Sequence, residues 1–328
     1  MALWDTAPYS LRQLQYVVAV ADLGGFRKAA DACRVSQPSL SAQIARLERA
    51  LGIQVFERDA RGVRVTTAGE AVLARARQVL VAAGDLDETA RQQGDPLAGT
   101  LRIGVIPTVC PYLLPEVAPA LHLALPNLTI VWSEDKTQTL VKQIDDARLD
   151  AAILARDARM IALDSTPIGE DPFVLAAAPG HRLMKNSAPA SSSALAGVTV
   201  LLLEDGHCFR DQALAFCGAT GAHEAGLSAT GLSTLVQMVG AGTGVTLLPK
   251  LALAVENRRG QLATRAFKRP APSRTIVLAW RRGSALRGRL EAVAAVLRQA
   301  WGLPDRRAAE VAVESHRHRL QRAMAPRR

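Results

Sequence analysis

Leu11, Leu14, Val17 and Val18 recur at helical spacing, and Gly24-Gly25 ends the pattern, so a first helix is predicted there. A second follows from Phe26 through Ala29, Ala30 and Cys33, which puts Cys33 on the packed side. After the turn Arg34-Val35, Ser36 is an N-cap for a third helix whose inner side reads Leu40, Ile44 and Leu47. Gln37, Ser39, Gln43 and Arg46 are left facing outward. This is the spacing of a helix-turn-helix, and short polar and Arg side chains on its third helix suit base edges and phosphates in a major groove. The competing reading is a three-helix core with a solvated face. Two short strands at 55–58 and 61–65 about an Arg/Gly turn then read as a wing, from which Arg58, Arg61 and Arg64 reach phosphates.

Thr67-Ala68-Gly69-Glu70 has the capping-box pattern and opens a long helix to about residue 92. Val72, Val79 and Leu86 are spaced by seven, as are Leu73 and Leu80, which suits a helix pairing with its own copy. Gly94-Asp95-Pro96 and Gly99 mark a hinge. Beyond it strands and helices alternate: a strand at 101–106, a helix after Pro111, a strand at 128–132, a helix at 139–147 and a strand at 151–154. A second α/β unit begins near Asp171, runs through a strand at 245–249 and returns to the first through 274–280. Two lobes crossed twice by the chain enclose a cleft. The glycines of 240–244 follow a helix and precede a strand, the reverse of a dinucleotide fingerprint, so they are read as a turn.

The chain has 328 residues, 49% of them hydrophobic, enough for two or three cores. Residues 1–10 have no apolar leader segment, and no run of about 18 apolar residues occurs, so a soluble cytoplasmic protein without a membrane partner is expected. A net charge of +10 invites nucleic acid, but its distribution weakens that argument. Residues 1–64 carry nine Lys/Arg against six Asp/Glu, whereas 258–289 carry ten Lys/Arg and no acid. The DNA-binding expectation therefore rests on the motif. From Pro304 onward a basic tail containing His316 and His318 is expected to be disordered.

Four cysteines in so long a chain are no disulfide framework, and two of them stand in the stretch Gly206-His207-Cys208-Phe209-Arg210-Asp211-Gln212-Ala213-Leu214-Ala215-Phe216-Cys217. Phe209, Ala213, Phe216 and Cys217 recur at helical spacing, so a short helix is predicted with Cys208 at its N-terminus and Cys217 on its buried stripe. The end dipole, His207 and Arg210 favour the Cys208 thiolate, and Asp205 opposes it. Nine positions of helix set the sulfurs on opposite faces roughly 13 Å apart along the axis. A disulfide needs Cα atoms within about 7 Å, so a bridge between them requires the segment to unwind. A metal site of His207, Cys208, Cys217 and His223 is the weaker alternative, because the two cysteines are not a close pair.

This stretch resembles the sensor motif of the peroxide-responsive LysR-type transcription regulators. The run Ser36-Gln37-Pro38-Ser39-Leu40-Ser41, then Leu47-Glu48, Leu51-Gly52, Phe56-Glu57-Arg58 and Thr66-Thr67-Ala68-Gly69, resembles that family's N-terminal signature. The similarity extends to about residue 303. It implies an all-α winged helix-turn-helix at 1–67, a dimerising helix at 68–93, a hinge at 94–100 and an α/β regulatory domain at 101–303. That domain is implied to be two-lobed like the periplasmic binding proteins, with one lobe at about 101–170 and 271–303, the other at about 171–270, and a tail at 304–328. Ser36, Gln37, Pro38, Ser39, Gln43, Arg46, Arg58, Arg61 and Arg64 are then the implied DNA contacts.

By the same resemblance Cys208 is the thiol attacked by peroxide, Cys217 the resolving thiol, and Thr108, His207, Arg274, Thr137 and Asp211 the groups that hold and activate the peroxide. Hydrogen peroxide is the signal and no cofactor or metal is implied. The implied partners are promoter DNA, the chain itself as a dimer of dimers, cellular thiol reductants and RNA polymerase. Two other readings remain at this stage, a LysR-type regulator answering a small metabolite between the lobes and a stand-alone thiol peroxidase. Cys110 stands in the loop after Thr108 where a member of that family carries Gly, which adds a third thiol near the cleft.

Overall fold

A computed structural model describes residues 8–59, 62–91 and 95–301, which form two compact units divided near residue 94. In the first unit, α1 (Leu11–Leu23), α2 (Phe26–Cys33) and α3 (Gln37–Leu51) surround Val17, Val20, Ala29, Leu40, Ile44 and Leu47. Ser10 caps α1 reciprocally: its hydroxyl accepts from the Gln13 amide while its own N–H donates to Gln13 Oε1 at 2.8 Å. Gly24 closes α1 in the left-handed region. Leu11, expected on the inner stripe, is 49% exposed, because at the first helical position it lies beyond the core that Tyr16 and Val20 complete. Ser36 caps α3 as predicted, accepting from the Ser39 amide. β1 (Phe56–Asp59) and β2 (Gly62–Val65) pair antiparallel as the wing.

The long helix α4 (Thr67–Arg91) starts one residue differently from the sequence expectation. Its cap is Thr66, whose hydroxyl accepts from the Gly69 amide at 2.9 Å, so the third helical position is Gly69 and no capping box forms with Glu70. Thr66 is held extended from both sides: its amide donates to Val55 O and its hydroxyl to Gln54 O, and the helix can only begin after it. Gly69 suits this junction, since a Cβ there would stand 2.3 Å from Val55 O. Leu73 is buried in the N-terminal core, whereas Val79 and Leu86 are 44% and 72% exposed.

The larger unit is one mixed sheet with helices on its faces. β3 (Gly99–Val105), α5 (Cys110–Ala124), β4 (Leu128–Glu134), α6 (Thr137–Asp145) and β5 (Ala151–Ala155) make the first lobe, closed by β11 (Ser273–Arg281) and α10 (Arg287–Ala300). β7 (Thr199–Leu203), α7 (Cys208–Gly218), β8 (His223–Ala229), α8 (Leu232–Gly240), β9 (Val245–Pro249), α9 (Leu253–Glu256) and β10 (Ala263–Ala266) make the second. With β6 (Leu163–Ala177), the strand order is β4-β3-β5-β11-β6-β9-β7-β8, and β10 also pairs with β6.

β6 joins the lobes. Its first part pairs with β11 and its residues 173–177 pair with β9, so Asp171 lies inside one continuous strand rather than at the start of a new unit. α5 and α6 begin at Cys110 and Thr137, each earlier than the periodicity indicated, and this brings Cys110 and Thr137 into first turns. The helix expected at 139–147 is therefore shifted toward the cleft. No described helix is long and apolar enough to cross a membrane.

Candidate redox site

β3 and β4 of the first lobe run parallel, β7 of the second runs opposite to them, and their carboxyl ends bring three helix N-termini to one place. β3 leads through Pro107-Thr108 into α5, β4 leads through Lys136 into α6, and β7 leads through Gly206-His207 into α7. Between them lies a small, partly open cavity lined by Ile106, Pro107, Thr108, Lys136, Thr137, Gly206, His207 and Cys208. The Thr108 loop and the Gly206-His207-Cys208 loop thus face one another across it.

Cys208 is the first residue of α7 and is 3% exposed, with its side chain in the core of the first lobe. Phe209, Ala213 and Cys217 of the same helix belong to the core of the second. Phe209 meets Phe173 edge-on at 5.0 Å, and Phe216 meets Phe267 at 5.2 Å. All four cysteines are free. Burial pushes the Cys217 thiol up to about 11; burial and then a hydrogen bond to Glu134 push Cys110 up to about 12. Both are resting thiols at neutral pH, which removes Cys110 as a ready nucleophile in this state.

Two buried polar atoms at the cavity, Thr137 Oγ1 and His207 Nε2, have no hydrogen-bond partner. Leaving such groups unsatisfied costs about 1–3 kcal/mol each, so both are poised to gain from a small polar guest. Burial, followed by the charge of Lys136, lowers the His207 pKa and keeps the ring neutral. Thr108 Oγ1 accepts from Arg274 at 2.7 Å, which leaves the hydroxyl proton of Thr108 to donate elsewhere.

Arg274 does not line the cavity. It stands one layer behind Thr108, donating to the Thr108 hydroxyl and carbonyl and, through Nε, to Asp171 at 3.0 Å, with its guanidinium over the Phe209 ring. Asp171 in turn accepts from the Leu251 amide. Asp211 also lies away from the cavity lining, on the surface, paired with Arg159 at 3.0 Å. Arg210, read from sequence as an activating cation, is committed to Asp205, Glu224 and the Leu203 carbonyl.

Arg159, in the turn after β5, is a nearby cation of the α7 start: it is paired with Asp157 and Asp211, and its pKa is raised first by the hydrogen bond to Asp157. Neither Arg159 nor Lys136 was singled out in sequence, since each is a lone basic residue outside any motif. His207, Cys208, Cys217 and His223 do not converge on a metal: among the described residues no group of three or more His, Cys, Asp or Glu is placed to hold one.

In the N-terminal unit, Ser36, Gln37, Pro38, Ser39 and Arg46 are exposed on α3, and Arg64 is exposed on β2. Gln43, expected to face outward, is half-buried, with its Oε1 accepting from Gln13 Nε2 at 3.1 Å. Arg61, the side chain of Arg58, and the tail with His316 and His318 lie outside the described residues.

Residues 11–70 match the model of the bacterial regulatory helix-turn-helix proteins of the lysR family, and residues 94–302 match the LysR substrate binding domain. A hydrogen peroxide-inducible genes activator of Pectobacterium carotovorum subsp. carotovorum is 45% identical over 291 residues, covering 88% of this chain and 96% of that one. The DNA-binding transcriptional dual regulator OxyR of Escherichia coli (strain K12) is 44% identical over 290 residues, covering 88% and 95%. Among solved structures, a full-length OxyR variant from Pseudomonas aeruginosa superposes with a TM-score of 0.77 at 33% identity, covering 88% of this chain and 94% of that one. A helix-turn-helix with a wing, a two-lobed α/β domain and these matches together mean that the chain belongs to the LysR family of transcription regulators, as a homologue of OxyR.

Proposed function

We propose that this chain binds promoter DNA through α3 and the wing and activates oxidative-stress genes when hydrogen peroxide oxidises Cys208. The observation that carries the reading is a cysteine at a helix N-terminus sharing a small cavity with two buried polar atoms that no protein group satisfies, Thr137 Oγ1 and His207 Nε2. Attack of the Cys208 thiolate on one peroxide oxygen breaks the O–O bond. The sulfur becomes a sulfenic acid, and the leaving hydroxide takes a proton to become water. The Cys217 sulfur then displaces hydroxide from the sulfenic acid, giving a disulfide and a second water. Two electrons have passed from sulfur to peroxide.

In this reading Thr108, Thr137 and His207 hold the peroxide and supply hydrogen bonds to the departing oxygen. Arg274 fixes the Thr108 hydroxyl, and Asp211 with Arg159 braces the first turn of α7. A metabolite between the lobes is the less favoured effector. Pockets for such ligands run to about 300–1,000 Å³, and the small, partly open space at Cys208 falls far short of that.

The functional boundaries we propose are 1–67 for DNA binding, 68–93 for dimerisation, 94–100 for a hinge, 101–303 for sensing and 304–328 for a basic tail. Exposed Val79 and Leu86 on α4 support pairing with a second copy, and a dimer of dimers is the proposed assembly. RNA polymerase is the proposed downstream partner and cellular thiols the reductants, which fits a cytoplasmic setting. Mass spectrometry of all four thiols after a brief peroxide pulse is the test. Oxygen added at Cys208 followed by a Cys208 to Cys217 bridge is expected; untouched Cys208 would favour the metabolite reading.

A further inference from the structure

Lys136 reaches from the first lobe to the second immediately beside the cavity. It is the residue before α6, and Leu140 of that helix donates its amide back to the Lys136 carbonyl. Its ammonium donates to Glu204 Oε1 at 2.7 Å and to the Asp205 carbonyl at 3.0 Å, on the stretch that leads from β7 to α7. Its aliphatic stem covers Gly206: a Cβ there would stand 3.0 Å from Lys136 Cδ. Gly206 has φ +92, a backbone conformation that side chains resist, so the loop lies flat under the lysine only because this position is glycine. Lys136 thus ties the Thr108 and Thr137 wall of the cavity to the His207 and Cys208 wall.

We infer that Lys136 is the positioning residue of the peroxide site, fixing the separation of the two walls on either side of the Cys208 sulfur. The inference rests on the proposed peroxide chemistry. Thr137 Oγ1 and His207 Nε2 come from opposite lobes, and they can grip one small molecule only while the lobes are held in register. The two donor contacts of Lys136 hold that register next to the reacting atom. Lys136 also presents positive charge to His207, whose other charged neighbour is Glu204 and whose ring also bonds the backbone of Thr230; a neutral ring at the cavity follows from burial and that lysine.

Two rates on the full-length reduced chain separate this role from simple loosening. The first is oxidation of Cys208 by hydrogen peroxide, followed by sulfenic-acid trapping. The second is alkylation of Cys208 by iodoacetamide, a bulkier reagent than peroxide, at a sulfur that is buried. Lys136→Met is expected to slow oxidation by about tenfold, since misplacement near 1 Å is costly to positioned chemistry, while speeding alkylation several-fold. Lys136→Arg, which can still reach Glu204 and the Asp205 carbonyl, is expected to oxidise within about threefold of the parent rate. Oxidation of Lys136→Met at the parent rate, both of its rates moving in one direction, or Lys136→Arg as slow as Lys136→Met would overturn the inference. If Cys208 of the unaltered chain takes up no oxygen, the peroxide reading itself fails, and that result is distinct because it needs no variant.

Discussion

Cys208 and Cys217 begin and nearly end a single helix, yet their side chains are buried in different cores, Cys208 in that of the first lobe and Cys217 in that of the second. Nine residues of α-helix hold their Cα atoms roughly 13 Å apart along the axis, about twice what a disulfide spans. A bridge between them therefore requires α7 to unwind and Phe209 and Phe216 to leave their edge-on partners Phe173 and Phe267. The chemical drive of peroxide reduction offsets that loss of packing, which is why this pair can act as a switch.

Cys208→Ser is expected to abolish the peroxide response and leave DNA binding by the reduced form intact. Cys217→Ser is expected to keep sulfenic-acid formation at Cys208 while losing the locked state. Bridge mapping with limited proteolysis of residues 204–218 reads both. Peroxide treatment that yields a Cys208 to Cys217 bridge with no new cleavage there would refute the re-packing argument.

The raised thiol pKa values predict a labelling pattern. With Cys217 at about 11, roughly one molecule in a thousand carries its thiolate at pH 8, and Cys110 at about 12 carries fewer. Between pH 8 and 10 the alkylation of both should climb about tenfold per unit, without the plateau that an ordinary thiol reaches near 8.5. A plateau at either residue below pH 9.5 would contradict the burial seen for it.

Arg274 and Asp171 form an ion pair at 2.9 Å with almost no solvent exposure. Removing one member strands the other charge, so Arg274→Met is expected to lower stability by about 3–5 kcal/mol in urea unfolding. Asp171→Asn should cost less, because its amide can still accept from the Leu251 amide. A loss below about 1 kcal/mol for Arg274→Met would show that the pair is not the tie between β6, β11 and the Thr108 loop that its geometry suggests.

On the DNA side, a dimer is expected to place two copies of α3 in successive major grooves about 34 Å apart, giving two-fold symmetric protection in footprinting. Gln37→Ala and Arg46→Ala should weaken that protection. Gln43→Ala should, in addition, destabilise the unit slightly, because Gln43 is tied to Gln13 in the helix packing. Protection without a two-fold pattern would count against α3 as the reading helix.

Val79 and Leu86 are exposed apolar residues one heptad apart on α4. Replacing both with Glu is expected to lower the assembly state seen by sedimentation at micromolar concentration, from a tetramer toward smaller species. Unchanged sedimentation would place the self-contact elsewhere.

Much of this protein was written locally. Helical spacing set α1 to α3, Ser36 capped α3, and the cysteine-bearing stretch folded as a helix with Cys208 at its start, because these features depend on neighbours within a few residues. Where a distant backbone competes, the local pattern misled. Thr66 caps α4 in place of Thr67 because Gln54 and Val55, just before β1, hold it, and Leu11 fell outside a core that only three helices together define. The same is true of the site. Cys208 and His207 stood in a recognisable motif and Thr108 was implied by the family resemblance, but Lys136 and Arg159 carry no sequence signal, since their roles come from side chains that cross from one lobe to another. Arg210 looked like the activating cation because it is adjacent in sequence, and the fold spent its charge on Asp205 and Glu224. Short-range order decided the elements, and long-range packing decided which charges and which unpaired polar atoms meet the sulfur.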